Sequence, residues 1–115
     1  MKREILENLF LMRKECTFIM DHSEDMNFTD FTDNEIMKRA FSRSLEIIGE
    51  TAKNIDSDFK NDHSGVDWAS FIEVSEILTH TFDNVNYYVL WDMSKTRIPK
   101  LFREIDLMIE DIYSR

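Results

Sequence analysis

Two glycines and one proline in 115 residues leave this chain almost no material for tight turns. Hairpins and short loops draw on Gly, Pro and Asn-Gly pairs for their unusual backbone angles, so sandwiches and barrels are disfavoured. Long helices joined by few connections remain. The length fits a single domain, residues 1–115, with no room for a two-domain enzyme. A fold of this size hides roughly two-thirds of the surface of its unfolded chain. Apolar residues make up 43% of the sequence and nine are Phe, so a core is available despite a net charge of −9.

The apolar spacing is helical nearly throughout. Ile5, Leu9, Met12, Cys16 and Ile19 recur at steps of four and three, with Leu6 and Met20 widening the stripe. They predict an amphipathic helix of about five turns. Cys16 reads as a small core residue on it, since a lone cysteine builds neither an internal disulfide nor a cysteine-based zinc site. Asp21 to Asp33 reads as an acidic connection. Thr32 and Glu35 have the spacing of a capping box, opening a second helix with Ile36, Ala40, Ile47, Ile48, Ala52 and Ile55 on one side. Gly49 lies mid-helix, where glycine costs about 1 kcal/mol relative to alanine; its presence predicts close approach of another helix.

After a polar turn over Asn61–Val66, Asp67 caps a third helix running from Trp68 to about His80, with Phe71, Val74, Ile77 and Leu78 apolar. Asn84 to Asn86 marks a break or kink before Tyr87, Tyr88, Leu90 and Trp91. Pro99 suits the first turn of a last helix, where its missing amide hydrogen is not needed, and Ile98, Leu101, Ile105, Met108 and Ile112 form that helix's stripe. The expected fold is all-α, an antiparallel bundle of four or five helices. Phe10, Phe102 and Ile109 broaden the stripes of the terminal helices, a pattern that serves a monomer core or a homodimer interface. The opening MKREILEN does not read as a signal peptide, and no run approaches the ~18 apolar residues of a membrane span. A cytoplasmic protein with no membrane partner is expected.

Charge comes in blocks. Residues 21–35 carry six acids and no Lys or Arg, and so do residues 61–92. Nucleic acid is held by Lys and Arg that displace counterions from phosphates, so any RNA contact must rest on a local basic rim or on a partner protein. The sequence holds no glycine-rich phosphate loop, no zinc helix of the His-Glu-x-x-His type and no Gly-x-Ser-x-Gly nucleophile turn. His22 and His63 fall in acidic connections and read as solvated; neither a metal site nor a cofactor is expected. His80 differs, because Glu76 precedes it by one turn and Asp83 follows by nearly one. Both carboxylates can face the imidazole and favour its protonated form. Such a ring is a natural proton shuttle for phosphodiester cleavage, or else a helix-end histidine that offsets the helix dipole.

Arg43-Ser-Leu-Glu-Ile-Ile-Gly-Glu-Thr-Ala-Lys53, Val66-Asp-Trp68, Ile77-Leu-Thr-His80, Val85, Val89-Leu-Trp91 and Ile98-Pro99 resemble, in order and spacing, the HepT-like proteins of the HEPN superfamily. The resemblance runs nearly end to end. It implies a HEPN-type helical bundle, usually a homodimer in which the motif helices meet near the axis. It also implies a link to metal-independent ribonuclease toxins and to a minimal nucleotidyltransferase as partner. The family motif is Arg, four residues, His, one residue, Tyr. Its Arg stabilises phosphate charge, its His exchanges protons, and its Tyr is adenylylated by the partner to neutralise the toxin.

Carried over residue by residue, His80 falls on the motif His, Ser75 on the Arg position and Phe82 on the Tyr position, with Glu76 following Ser75. Ser75 supplies no permanent positive charge, Glu76 repels RNA, and Phe82 has no hydroxyl to adenylylate. Arg43 and Arg97 are candidate substitutes for the missing cation. Tyr87 and Tyr88 could take the place of the missing phenol but read more simply as packing aromatics. Three readings follow: a HepT-like protein of a toxin–antitoxin-type pair with a degenerate ribonuclease site, binding its nucleotidyltransferase; an active endoribonuclease using His80; or a dimeric helical interaction module.

Overall fold

A computed structural model describes residues 2–80 and 85–115. Among them are seven α-helical segments: α1 (Lys2–Ser23), α2 (Phe28–Thr32), α3 (Glu35–Asn54), α4 (Ser57–Asp62), α5 (Trp68–His80), α6 (Tyr87–Asp92) and α7 (Ile98–Ser114). A five-residue π-helix, Met93–Arg97, joins α6 to α7. No strand occurs among the described residues, and no helix there is long and apolar enough to cross a membrane. The chain is an all-α bundle whose principal contacts run α3 on α5, α1 on α3 and α1 on α7.

The two stripes expected at the ends of the chain are the centre of the core. Leu9, Met12, Cys16 and Ile19 on α1 are fully buried, as are Ile98 and Ile105 on α7, with Leu101, Met108 and Ile112 nearly so. Burial pushes the Cys16 thiol up to about 12, which leaves it protonated and inert. The middle of the chain differs from the sequence reading. Ile48, Ala52 and Ile55 are buried as expected, but Ile36 is 75% exposed, and Phe41 and Leu45, outside the expected stripe, join the core. The segment Asp21–Asp33 is not a bare connection. Asn27 and Asp30 form a reciprocal capping box that opens α2, while Thr32 spends its hydroxyl on the carbonyls of Phe28 and Thr29. The cap of α3 is therefore Asn34, whose side chain accepts the Met37 amide at 3.0 Å, rather than Thr32. A further short helix, α4, is capped by Asp56.

His22 and His63 end helices rather than float in loops. Each ring packs with its centroid 4.2 Å from that of the phenylalanine one turn earlier, Phe18 or Phe59, with Nδ1 2.9 Å from that residue's carbonyl oxygen. Pro99 does stand in the first turn of α7, but that helix continues from the π segment without a break. Proline lacks the amide hydrogen that would bond back one α-turn. The amide of Ile98 reaches Met93, five residues back, and the widened turn accommodates the proline ring.

Asp67 caps α5 as expected, its Oδ1 accepting the Ser70 amide at 3.2 Å and its Oδ2 the Ser70 hydroxyl at 2.6 Å. These bonds, with the charges of Arg97 and Lys100, hold its carboxyl below the ordinary aspartate value. A depressed carboxyl stabilises the fold above its ordinary pKa and ceases to do so as pH falls through the depressed value. Asp67→Ala is therefore expected to cost about 1 kcal/mol at neutral pH, the usual worth of a helix cap. The difference should vanish in acid, measured by urea unfolding across pH; a constant difference would remove the cap as its cause.

Candidate functional site

The site grows from one close contact. Gly49, in the middle of α3, faces α5 so closely that a Cβ built on it would lie 2.3 Å from the Phe71 carbonyl oxygen and 2.3 Å from Ser75 Cβ. The close approach expected from a mid-helix glycine is present. It defines a seam in which Ser75, the residue at the motif-Arg position, has 0% exposure. The Ser75 hydroxyl donates to the Ile72 carbonyl of its own helix at 2.7 Å, so nothing at position 75 is offered to solvent.

Polar pairs lace the seam. The Thr79 hydroxyl lies 2.8 Å from the Ser75 carbonyl oxygen and 3.2 Å from Glu46 Oε2 on α3. The same Glu46 oxygen is 3.9 Å from Arg43 Nη1. Lys53 Nζ lies 3.2 Å from Glu76 Oε1 and 3.5 Å from Glu50 Oε1. The bond to Glu76 raises the Lys53 pKa above its ordinary value. Glu76 thus stands one turn before His80 as expected, but its carboxylate turns to Lys53 instead of the imidazole. His80 itself is exposed, the last residue of α5, with no hydrogen-bond partner among the described residues. Phe82 and Asp83, the other positions tied to it by the sequence, lie outside the described residues, as does Asn84.

The two candidate substitute arginines part company here. Arg97 pairs with Asp67 at 3.4 Å, at the start of α5, so a 13-residue helix of about 20 Å separates it from His80. Arg43 stands at the other end, linked through Glu46 to the residue next to His80. It is one wall of a groove of about 420 Å³ between α3, the last turn of α5 and the start of α6, lined also by Arg39, Glu46, Leu78, Val85 and Tyr87. Arg39 escaped the sequence reading, although its spacing of four from Arg43 puts both on one helix face. Tyr87 is a packing residue, half-buried against Phe31, with Lys38 Nζ 4.8 Å above its ring. Tyr88 is exposed and meets Phe28 edge-on at 5.5 Å. Beside this groove Val74, Ile77, Leu78, Val85, Val89 and Leu90 line a smaller apolar cleft of about 160 Å³, with Ile77 52% exposed rather than in the core.

Comparison with known proteins places these residues in a family. A family model described as "Ribonuclease HepT-like" matches residues 12–108. A protein of Caldanaerobacter subterraneus subsp. tengcongensis named "Putative RNase" is 33% identical over 108 residues, 94% of either chain. Another "Putative RNase", from Methanocaldococcus jannaschii, is 32% identical over 96% of this chain and 92% of its own. A "Probable ribonuclease HepT" from Thermococcus cleftensis is 34% identical over 88% of this chain and 92% of its own. No solved structure matches.

Proposed function

The chain belongs to the HepT-like ribonuclease family, and from that premise we propose that it is the HepT-like half of a toxin–antitoxin-type pair, its ribonuclease site degenerate. It works in the cytoplasm as a homodimer that binds a minimal nucleotidyltransferase. The burial of Ser75 carries this reading. The position that should present a guanidinium to a scissile phosphate instead holds a neutral hydroxyl inside the α3–α5 seam. A preorganised cation supplies its catalysis by meeting charge that develops in the transition state, and a serine bonded to its own helix offers none.

What remains on this surface favours association. The apolar cleft with exposed Ile77 and Val89 lies along α5, the helix that the family resemblance puts at the dimer axis. With Phe82 at the tyrosine position, the partner has no hydroxyl to modify there, so the pair persists by binding and not by adenylylation at that position.

Size-exclusion chromatography with light scattering tests this directly, on the chain alone and co-expressed with a minimal nucleotidyltransferase from the same genome. A homodimer alone and a stable larger complex with the partner are expected. A monomer that ignores the nucleotidyltransferase would overturn the proposal and leave an unpartnered helical module.

A second reading has one observation in its favour: Arg43 is joined through Glu46 to Thr79, the neighbour of His80. In an active endoribonuclease, Arg43 would serve as the phosphate cation and His80 as the proton shuttle. RNA cleavage lost in both His80→Ala and Arg43→Ala is the signature of that reading.

A further inference from the structure

The groove of about 420 Å³ next to the end of α5 is the size of a small-ligand site, and its polar groups are unevenly engaged. Its two carboxylates are already held. Glu35 Oε1 lies 2.6 Å from Lys38 Nζ, which keeps that carboxyl below its ordinary value. Glu46 accepts the Thr79 hydroxyl at 3.2 Å. The two arginines are not held in the same way. Arg43 is 70% exposed along its side chain and meets Glu46 only at 3.9 Å, and Arg39 has no ion pair among the described residues. In a chain of charge −9, two guanidiniums with most of their donors unspent line one groove wall.

Their spacing matters as well. Four residues of helix advance about 6 Å, so Arg39 and Arg43 form a ladder on the scale of consecutive backbone phosphates. Guanidinium forks suit phosphate oxygens, which they bind in pairs. Among the described lining residues the one aromatic, Tyr87, is no free platform for a base, because Lys38 covers its ring and Phe31 abuts it at 6.2 Å. Charge is therefore the means of recognition, and a chain of phosphates suits it better than a single nucleotide.

We propose that this groove binds the phosphodiester backbone of single-stranded RNA through Arg39 and Arg43, without regard to base sequence. The choice of RNA rests on the family reading; the binding does not require that any cleavage survive. Arg39 and Arg43 are positioning residues that lay the strand past the end of α5.

Fluorescence anisotropy with a labelled oligouridylate in EDTA, over a range of salt, tests the proposal. The Arg39→Ala, Arg43→Ala double variant should bind at least tenfold more weakly. Its slope of log affinity against log salt should shrink by about 1.4, the loss of two single-strand phosphate contacts. Arg39→Lys with Arg43→Lys should keep the slope, and Arg97→Ala, at the far end of α5, should bind as the wild type does. Circular dichroism establishes that each variant is folded. An unchanged affinity in the double alanine variant, or no RNA binding by the wild type, would overturn the assignment. Labelled AMP bound as tightly as the oligonucleotide would overturn the polymer in favour of a mononucleotide. Because no cleavage is read, a site with no ribonuclease activity and a groove with no RNA affinity give different results.

Discussion

Gly49→Leu should lower stability by at least about 3 kcal/mol, the upper end of the usual cost of overpacking a well-filled core. For a domain near this size, each kcal/mol is worth roughly 4 °C or more, so the unfolding midpoint should fall by more than about 12 °C. The reason is that one of the nearest obstacles is main chain. A Cβ at position 49 would sit 2.3 Å from the Phe71 carbonyl oxygen, and α5 cannot give way there without dragging its own hydrogen bonds along. Gly49→Ala separates this from ordinary helix preference. Alanine gains about 1 kcal/mol of helix propensity over glycine, so a net loss in that variant can come only from the seam. A Gly49→Ala protein that melts at or above the wild-type temperature would show that α3 and α5 do not meet at this distance.

The second large effect is on chemistry. Purified wild-type protein in EDTA is expected to cleave RNA at least about 10²-fold more slowly than a HepT-like ribonuclease with the full Arg, His and Tyr motif. That factor is the usual loss when one preorganised charge-stabilising donor is removed. Ser75 is neutral and buried, and its neighbour Glu76 is taken up by Lys53 at 3.2 Å, so neither position presents a positive charge to a phosphate. His80→Ala should then change nothing measurable. If the wild type cleaves at a rate comparable to a full-motif relative and both His80→Ala and Arg43→Ala abolish it, the degenerate-site reading fails. Arg43 would then be the replacement cation.

Local pattern carried far along this chain. The stripes of α1 and α7, the span of α5 with its Asp67 cap, the proline in the first turn of α7 and the meaning of Gly49 all follow from spacing and residue chemistry. Each depends on groups within a turn or two of one another. The short helices α2 and α4 did not show, because five or six residues complete fewer than two turns and display no stripe. The capping box misled for a related reason: Thr32 and Glu35 have the right spacing, yet Asn27 and Asn34 hold the caps and Thr32 is consumed inside α2. The π segment was hidden because a proline's effect on the helix around it depends on whether a neighbouring amide can reach one residue farther back.

The candidate site divides in the same way. Sequence by itself determined the all-α class, the family, and which side chains stand at positions 75, 76, 80 and 82. Those are matters of order and local period. Only the tertiary structure decided that Ser75 is sealed against Gly49, that Glu76 turns to Lys53, that Arg97 is a helix length from His80, and that Arg39 and Arg43 share an open groove. A helical stripe tells which residues prefer to be covered, not which partner covers them. Ile36 and Ile77 lie on apolar stripes and are exposed because no described helix packs over them. Contacts between residues thirty positions apart depend on how α3 and α5 dock, and that docking is a property of the assembled core.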